Sequence, residues 1–172
     1  GFIGSHTVVA LQEKGHEVLI VDDLSNSSIE VLDGITTISG IRPAFVKLNL
    51  QNASALSALF IKYTITGIIH FAAFKAVGES VQKPIAYYQN NLGSLLNLLA
   101  EIEKVKSPTP FIFSSSCTVY GEAEELPITE NTPIQPAMSP YGNTKQIGEE
   151  ILKDTVNAIA GFRAIALRYF NP

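Results

Sequence analysis

Several features are scarce in this chain of 172 residues, and each scarcity excludes a class of protein. The single cysteine, Cys117, excludes an internal disulfide and is typical of a reducing compartment. No apolar run reaches the roughly 18 residues of a membrane-spanning helix, and no signal sequence is recognisable. We therefore expect a cytoplasmic protein without a membrane partner.

Clustered positive charge and metal-ligand spacing are missing as well. The net charge is −4 and the lysines and arginines are spread along the chain, which argues against a nucleic-acid partner. His6, His16 and His70 share no ligand spacing with one another or with Cys117. We predict no metal site, and we expect His70 to be a hydrogen-bonded residue of the core.

Apolar and polar segments alternate in a way that predicts an α/β fold. The chain is 46% hydrophobic, enough for one core, and its length suits one domain. Strands separated by helices imply parallel pairing, so we predict a Rossmann-like, doubly wound parallel sheet. The predicted strands are residues 17–21, 44–48, 67–71, 111–114 and 164–169. The predicted helices are residues 5–14, a short one ending near 37, and 52–62, 84–104 and 140–158; residues 72–82 and 121–139 are predicted loops.

Gly1-Phe2-Ile3-Gly4 leads directly into the first helix and is typical of the end of a dinucleotide-binding glycine loop. Glycines there let backbone N–H groups approach a pyrophosphate at a helix N-terminus. No strand precedes this loop, and Asn171-Pro172 directly follow a predicted strand. We therefore expect a partial NAD-binding domain, residues 1–172, that lacks its first strand and a C-terminal substrate domain. Alone, it should be marginally folded and inactive.

The most informative residues are Ser114-Ser115-Ser116 at the end of a strand and Tyr141 with Lys145 in the following helix. A spacing of four places Tyr141 and Lys145 on one helical face. A nearby cation lowers the pKa of a phenol from about 10 toward neutrality and makes it a usable proton acceptor. By itself the pair also fits an ordinary amphipathic helix surface.

Asp22 lies 18 residues after Gly4, at the end of the strand predicted at residues 17–21, which would be the second strand of the complete fold. An acid there can accept both hydrogen bonds of an adenosine ribose and would repel a 2′-phosphate, which predicts NAD rather than NADP. A solvent-facing turn acid is the alternative.

A family resemblance covers the chain essentially end to end and is carried by five longer stretches: residues 1–6, 70–80, 113–121, 139–145 and 168–172. Together they resemble the extended short-chain dehydrogenase/reductase family, and within it the enzymes that epimerise nucleotide sugars. Related dehydratases carry an Asp-Glu pair where Cys117 and Thr118 stand, and related decarboxylases usually carry Glu at Thr118.

The resemblance implies NAD-dependent epimerisation at C4 of a UDP-hexose (UDP-glucose or UDP-galactose) through a 4-keto intermediate. Tyr141, held as a phenolate by Lys145 and by the positive charge of the cofactor, would take the proton of the 4-hydroxyl. Ser116 would hydrogen-bond the 4-oxygen, and Lys145 would also bind the nicotinamide ribose. NAD would stay bound throughout the cycle. Another nucleotide sugar and a non-catalytic NAD-binding sensor remain as alternatives.

The resemblance also implies binding residues and a partner. The UDP-sugar would contact Lys75, Ser116, Tyr141 and Asn171, and copies of the chain would form a homodimer through the two long helices. Besides Ser116, Tyr141 and Lys145, the residues implied for NAD are Gly1, Phe2, Ile3, Gly4, Asp22, Asp23, Leu24, Ser25, Asn26, Ser27, Asn49, Leu50, Phe71, Ala72, Ala73, Lys75, Asn90 and Phe170.

Overall fold

The computed structural model describes residues 1–105 and 109–170. Within them, five strands alternate with helices and pair in parallel within two separate sheets, which confirms the predicted α/β class. The strands are β1 (Leu19–Asp22), β2 (Ala44–Lys47), β3 (Ile68–His70), β4 (Phe111–Ser116) and β5 (Ala164–Tyr169). The helices are α1 (Phe2–Glu13), α2 (Val31–Ser39), α3 (Ala53–Lys62), α4 (Val77–Gln82), α5 (Pro84–Val105) and α6 (Pro140–Ala158), with a 3-10 turn at Cys117–Tyr120.

The first compact unit, Gly1–Asn52, contains α1, β1, α2 and β2. β1 and β2 pair in parallel, from Leu19 opposite Ala44 to Asp22 opposite Lys47. Val8 of α1 and Leu32 and Ile35 of α2 are buried, as expected for apolar residues at helical spacing.

The second compact unit, Ala53–Pro172, contains the sheet β3–β4–β5 with α3 to α6. The central strand β4 buries Phe111 and Phe113. Leu95, Leu98 and Leu99 of α5 form a buried stripe in the same unit. Its core therefore supports β4, whose carboxyl end carries the serines.

Helix α4 replaces part of the predicted loop 72–82, so that prediction was wrong. Six residues that include Val77 and Gly78 have little intrinsic helix propensity. Tertiary contacts stabilise the helix instead. Ser80 is fully buried and its hydroxyl donates to the Val77 carbonyl at 2.6 Å, while Glu79 accepts from Tyr87 of α5 at 2.9 Å. Sequence pattern alone does not show such contacts.

Strand β4 also runs two residues further than predicted, to Ser116, because Ser115 pairs with Arg168 and Ser116 pairs with Tyr169 of β5. Helix α6 and strand β5 have the predicted bounds. Among the described residues, no helix is both long and apolar enough to cross a membrane.

Candidate active site

The carboxyl end of β4 presents Ser116 at a change of backbone direction. Ser116 is the last residue of the strand and the N-cap of the 3-10 turn, where its hydroxyl accepts from the Thr118 amide at 3.2 Å. The residue is 8% exposed. Its hydroxyl is thereby held at the strand end by its own following turn.

Helix α6 begins with a standard N-terminal signal that places Tyr141 in its first turn. Ser139 is the N-cap and accepts from the Gly142 amide at 3.1 Å, and Pro140 occupies the first helical position. Tyr141 is half-buried, and Lys145, one turn later, is 4% exposed. The predicted shared face of Tyr141 and Lys145 is present: the Lys145 Nζ lies 5.7 Å from the Tyr141 ring centroid.

Lys145 connects the helix to β4. Its Nζ donates to the Ser114 carbonyl at 2.6 Å and lies 4.9 Å from the centroid of the Phe113 ring. Burial lowers the pKa of Lys145 to about 8, because the apolar surroundings penalise the charged form. Lys145 is therefore an ammonium close to its titration point at neutral pH.

The protein groups raise the pKa of Tyr141, opposite to the direction expected from its spacing to Lys145. Burial is the largest cause, the Ser116 hydroxyl acts in the lowering direction, and Cys117 raises the pKa slightly further. Desolvation of the phenolate outweighs the effect of a cation whose N–H is directed to the Ser114 carbonyl. In the chain by itself, burial therefore favours the protonated form of Tyr141.

A second group of residues, which sequence reasoning missed, surrounds the segment that carries Lys75. The Asn91 side chain is 5% exposed, accepts from the Phe74 amide at 2.8 Å and donates to the Phe74 carbonyl at 3.0 Å. It also donates to the Thr144 hydroxyl of α6 at 3.1 Å. Asn91 thus joins the segment before Lys75 to the helix of Tyr141, whereas the predicted Asn90 is half-buried and donates to Asn91 at 3.0 Å.

A partly buried ion pair was also missed. Arg168 of β5 binds Glu149 of α6 through two nitrogens, Nε to Oε1 at 2.9 Å and Nη2 to Oε2 at 2.6 Å. Ser115, beside Ser116, donates to the same Oε1 at 2.5 Å. Glu149 and Arg168 are 19 residues apart in the sequence, so no local pattern indicates their contact.

In the first unit, Asp22 organises the loop after β1. Its Oδ1 accepts from the Leu24 amide and from the Ser27 hydroxyl, both at 2.8 Å, while Asp23 accepts from the Ser25 amide at 2.9 Å. Leu24 has φ +62°, an uncommon conformation for a branched side chain and typical of functional turns. The predicted residues 22–27 therefore form one compact turn.

The remaining predicted residues are placed as follows. Phe2, Ile3 and Gly4 lie in the first turn of α1, whose N-cap is Gly1. Asn49 accepts from the Gln51 amide at 2.9 Å, next to Leu50. After β3, Phe71 and Ala73 are half-buried, whereas Ala72 and Lys75 are exposed. Phe170 is 54% exposed with its ring 6.1 Å from that of Tyr120, and Asn171 lies outside the described residues.

Within the described ranges, no group of three or more His, Cys, Asp or Glu residues could hold a metal ion. His70 is buried between the rings of Phe111 and Phe113, with centroids 6.0 and 6.1 Å away. Burial, with Lys145 adding in the same direction, lowers the pKa of His70 to about 3. It is a neutral core residue.

Parallel strands with crossover helices, a serine at the end of the central strand, and a tyrosine and a lysine in the helix packed beside it are the features of a Rossmann-like short-chain dehydrogenase/reductase. The chain belongs to the GDP-mannose 4,6 dehydratase family, whose model matches residues 1–172. This confirms the extended short-chain dehydrogenase/reductase resemblance. The chain differs from the related dehydratases at one place, because Cys117 and Thr118 stand where those enzymes carry an acidic pair.

Curated relatives include UDP-glucose 4-epimerases. Those of Erwinia amylovora (45% identical over 172 residues) and Yersinia enterocolitica (47% over 174 residues) each match 100% of this chain. The chain spans about half of their length, 51% in each case.

Solved structures of UDP-glucose 4-epimerases are also similar to this chain. The UDP-glucose 4-epimerase from Bifidobacterium longum, in complex with NAD+ and UDP, has a TM-score of 0.97 at 44% identity, covering 100% of this chain and 51% of that one. The Stenotrophomonas maltophila enzyme, with NAD and formylated UDP-arabinopyranose, has a TM-score of 0.93 at 39% identity, covering 99% and 50%. The arrangement of strands and helices described above is thus shared with these enzymes.

Proposed function

We propose that the polypeptide containing this chain catalyses NAD-dependent epimerisation at C4 of a UDP-hexose, interconverting UDP-glucose and UDP-galactose. The observation that carries the proposal is the convergence of Ser116, Tyr141 and Lys145 at the carboxyl end of β4. Similarity to UDP-glucose 4-epimerases along the whole chain supports it.

Residues in each of the two units have the chemistry that NAD requires. In the second unit, Lys145 is a buried ammonium that donates to the Ser114 carbonyl, and an ammonium has three N–H donors, so it can also bind a ribose hydroxyl. In the first unit, Asp22 uses Oδ1 to hold its own turn, and its carboxylate would accept the hydrogen bonds of an adenosine ribose. When bound, NAD supplies a reversible hydride acceptor and a positive charge.

The chain's own residues handle the proton. Tyr141 accepts the proton of the sugar 4-hydroxyl on oxidation and returns it on reduction. Ser116 hydrogen-bonds the same oxygen, and its lowering effect on the pKa of Tyr141 favours the phenolate. Because burial dominates and raises this pKa in the chain itself, Tyr141 becomes an effective base only when positive charge is added beside it.

Substrate binding is assigned to Lys75, Ser116, Tyr141 and Asn171. Lys75 is exposed, and the backbone on both sides of it is fixed: Asn91 holds Phe74, and the Tyr87 hydroxyl accepts from the Ala76 amide at 3.1 Å. A lysine presented in this way is suited to a diphosphate.

An epimerase for another nucleotide sugar is the second candidate. A UDP-Glc/GlcNAc 4-epimerase from Campylobacter jejuni has a TM-score of 0.91 at 34% identity. UDP-N-acetylgalactosamine should therefore be assayed beside UDP-galactose. A non-catalytic NAD sensor is less favoured, because Tyr141 and Lys145 are both in place.

We further propose that residues 1–172 act as one NAD-binding domain of a cytoplasmic homodimer formed through α5 and α6. Exposed apolar side chains on these helices support such an interface: Ile85 is 71% exposed, Leu96 50% and Val156 40%. Sedimentation of the complete polypeptide measures this state directly.

Replacing Tyr141 tests the reaction. In the complete natural polypeptide, Tyr141→Phe removes the hydroxyl but keeps the ring, so kcat for UDP-galactose should fall by ~10²–10⁴-fold, the usual contribution of general base catalysis. Tyr63→Phe, at the end of α3, is the matched control and should leave kcat unchanged. Activity of Tyr141→Phe within about threefold of the parent would refute the assignment of Tyr141 as the base.

A further inference from the structure

The Glu149–Arg168 pair lies directly beside the proposed catalytic residues but is not part of them. Its two side chains are only 13% and 22% exposed. Glu149 follows Lys145 by one helical turn in α6, and Arg168 stands opposite Ser115 in the β4–β5 pairing, one residue before the pair of Ser116 with Tyr169.

All hydrogen bonds of this pair join elements that carry the site. Oε1 of Glu149 accepts from Ser115 and from Arg168, and Oε2 accepts from Arg168. The third arm of the guanidinium donates to the Tyr120 hydroxyl at 2.9 Å, and its carbon lies 4.8 Å from the Tyr120 ring centroid. The carboxylate of Glu149 is therefore fully engaged by groups of β4 and β5.

The binding of Glu149 by Arg168 matters for Lys145, because Glu149 lies four residues after Lys145 in α6. Oppositely charged side chains four residues apart on a helix are neighbours and usually attract each other. Lys145 instead donates to the Ser114 carbonyl at 2.6 Å, and burial is the sole cause that lowers its pKa to about 8. Both carboxylate oxygens of Glu149 are instead bound by Arg168.

We propose that Arg168 is a positioning residue for the epimerase reaction: by binding Glu149, it keeps that carboxylate from capturing Lys145, which stays directed to Ser114 and Tyr141. The inference rests on the proposed function for its kinetic consequence, but its structural part concerns Lys145 alone. Removing the charge of Arg168 should displace the Lys145 side chain. Removing the charge of Glu149 as well should reverse that displacement.

Other titratable groups surround Lys145 and stay the same in all variants. They are His70 on β3 and Tyr141 on α6, and Cys117 and Tyr87 in turn interact electrostatically with Tyr141.

The test compares Arg168→Met, Glu149→Gln and the double variant in the complete natural polypeptide. Arg168→Met leaves Glu149 charged and should lower kcat by at least about tenfold with a smaller change in KM. Glu149→Gln keeps an oxygen for Ser115 and should stay within about threefold of the parent. The double variant should recover most of the kcat lost in Arg168→Met. Arg42→Met, which breaks the exposed pair with Asp33, is the control and should have no effect.

A spectroscopic readout is independent of activity. The ¹³Cε resonance of Lys145, assigned with a Lys145→Met variant, should titrate at higher pH in Arg168→Met than in the parent, and return toward the parent value in the double variant. Circular dichroism identifies any variant that does not fold. If Arg168→Met does not fold, Arg168→Lys, which keeps the charge but loses the two-point contact, should show the same upward shift at smaller amplitude.

The outcomes separate the two proposals. A parent that does not epimerise any UDP-sugar refutes the proposed function, while the titration of Lys145 still decides the inference. An unchanged Lys145 titration in folded Arg168→Met, or a double variant no better than Arg168→Met, overturns the inference and leaves Arg168 as a structural brace.

Discussion

At the residue scale, burial sets the protonation of the side chains around Lys145. It lowers the pKa of His70 to about 3 and that of Lys145 to about 8, and it raises that of Tyr141. In each case the neutral form is favoured, because the surroundings solvate charge poorly. One added charge therefore has a strong effect on the pKa values of these side chains. A tyrosine base that works with a cationic cofactor depends on this effect.

Asp22 provides a test of cofactor choice. The parent should bind NAD more tightly than NADP, and Asp22→Ala should reduce this preference by about tenfold, or ~1.4 kcal/mol, because it removes the charge that would face a 2′-phosphate. Titration of each cofactor against the complete polypeptide measures the ratio. Asp33→Ala, an exposed acid of α2, is the control, and an unchanged ratio in Asp22→Ala would contradict the role of Asp22.

His70 predicts a pH dependence of stability. Its folded-state pKa of about 3 lies below the ordinary 6.5, so between these values the unfolded chain binds a proton that the folded chain does not. The His70 contribution to the free energy of unfolding is fully present above pH 6.5. It is lost as the pH falls toward 3, at up to about 1.4 kcal/mol per pH unit.

Urea unfolding of the complete polypeptide across this range checks the prediction. His70→Gln should show a shallower loss of stability on acidification than the parent, whereas His16→Gln, at an exposed position, should follow the parent. Identical pH slopes for parent and His70→Gln would mean that His70 is not buried in its neutral form.

At the scale of elements, the site depends on the close approach of α6 to β4. Gly148 makes this approach possible, because a Cβ built there would lie 2.7 Å from Cζ of Phe113, the ring over which Lys145 is placed. Phe113 is 3% exposed and cannot simply swing away. A side chain at position 148 therefore changes the support of Lys145 without touching any atom of it.

Gly148→Ala should destabilise the protein by about 1–3 kcal/mol, the usual cost of overpacking a core, and should also reduce kcat through Lys145. Gly34→Ala is the matched control: it lies within α2, a Cβ there meets nothing within 4 Å, and replacement of a helical glycine should stabilise by up to about 1 kcal/mol. Thermal melts of both variants measure these changes in stability. A Gly148→Ala protein as stable as the parent would show that the helix can move away from β4 at little cost.

At the scale of the whole molecule, the described chain leaves apolar surface on its last strand. Ile165 and Leu167 of β5 are 60% and 40% exposed, although both are residues that normally lie inside. The chain also spans about half the length of the curated relatives it matches. Apolar side chains exposed in this way contribute little to stability, because they are not removed from water.

We therefore expect the 172 residues alone to be inactive toward UDP-galactose and to melt below about 45 °C, the low end for ordinary domains. Differential scanning calorimetry and NAD titration of the isolated chain, beside the complete polypeptide, measure this. A cooperative melt above that temperature together with stoichiometric NAD binding would show that the described residues form a self-sufficient domain.

The sequence by itself determined the features that depend on local chemistry. The alternation of apolar and polar segments, Ser139 and Pro140 at the start of α6, and the spacing of Tyr141 and Lys145 follow from periodicity, capping and helix geometry, which act over a few residues. Only the tertiary structure decided the helix α4, the amide contacts of Asn91 and the bond between Glu149 and Arg168, since these need residues distant in sequence. It also reversed the expected direction for the pKa of Tyr141, because desolvation depends on everything packed around the phenol and cannot be read from its spacing to one lysine.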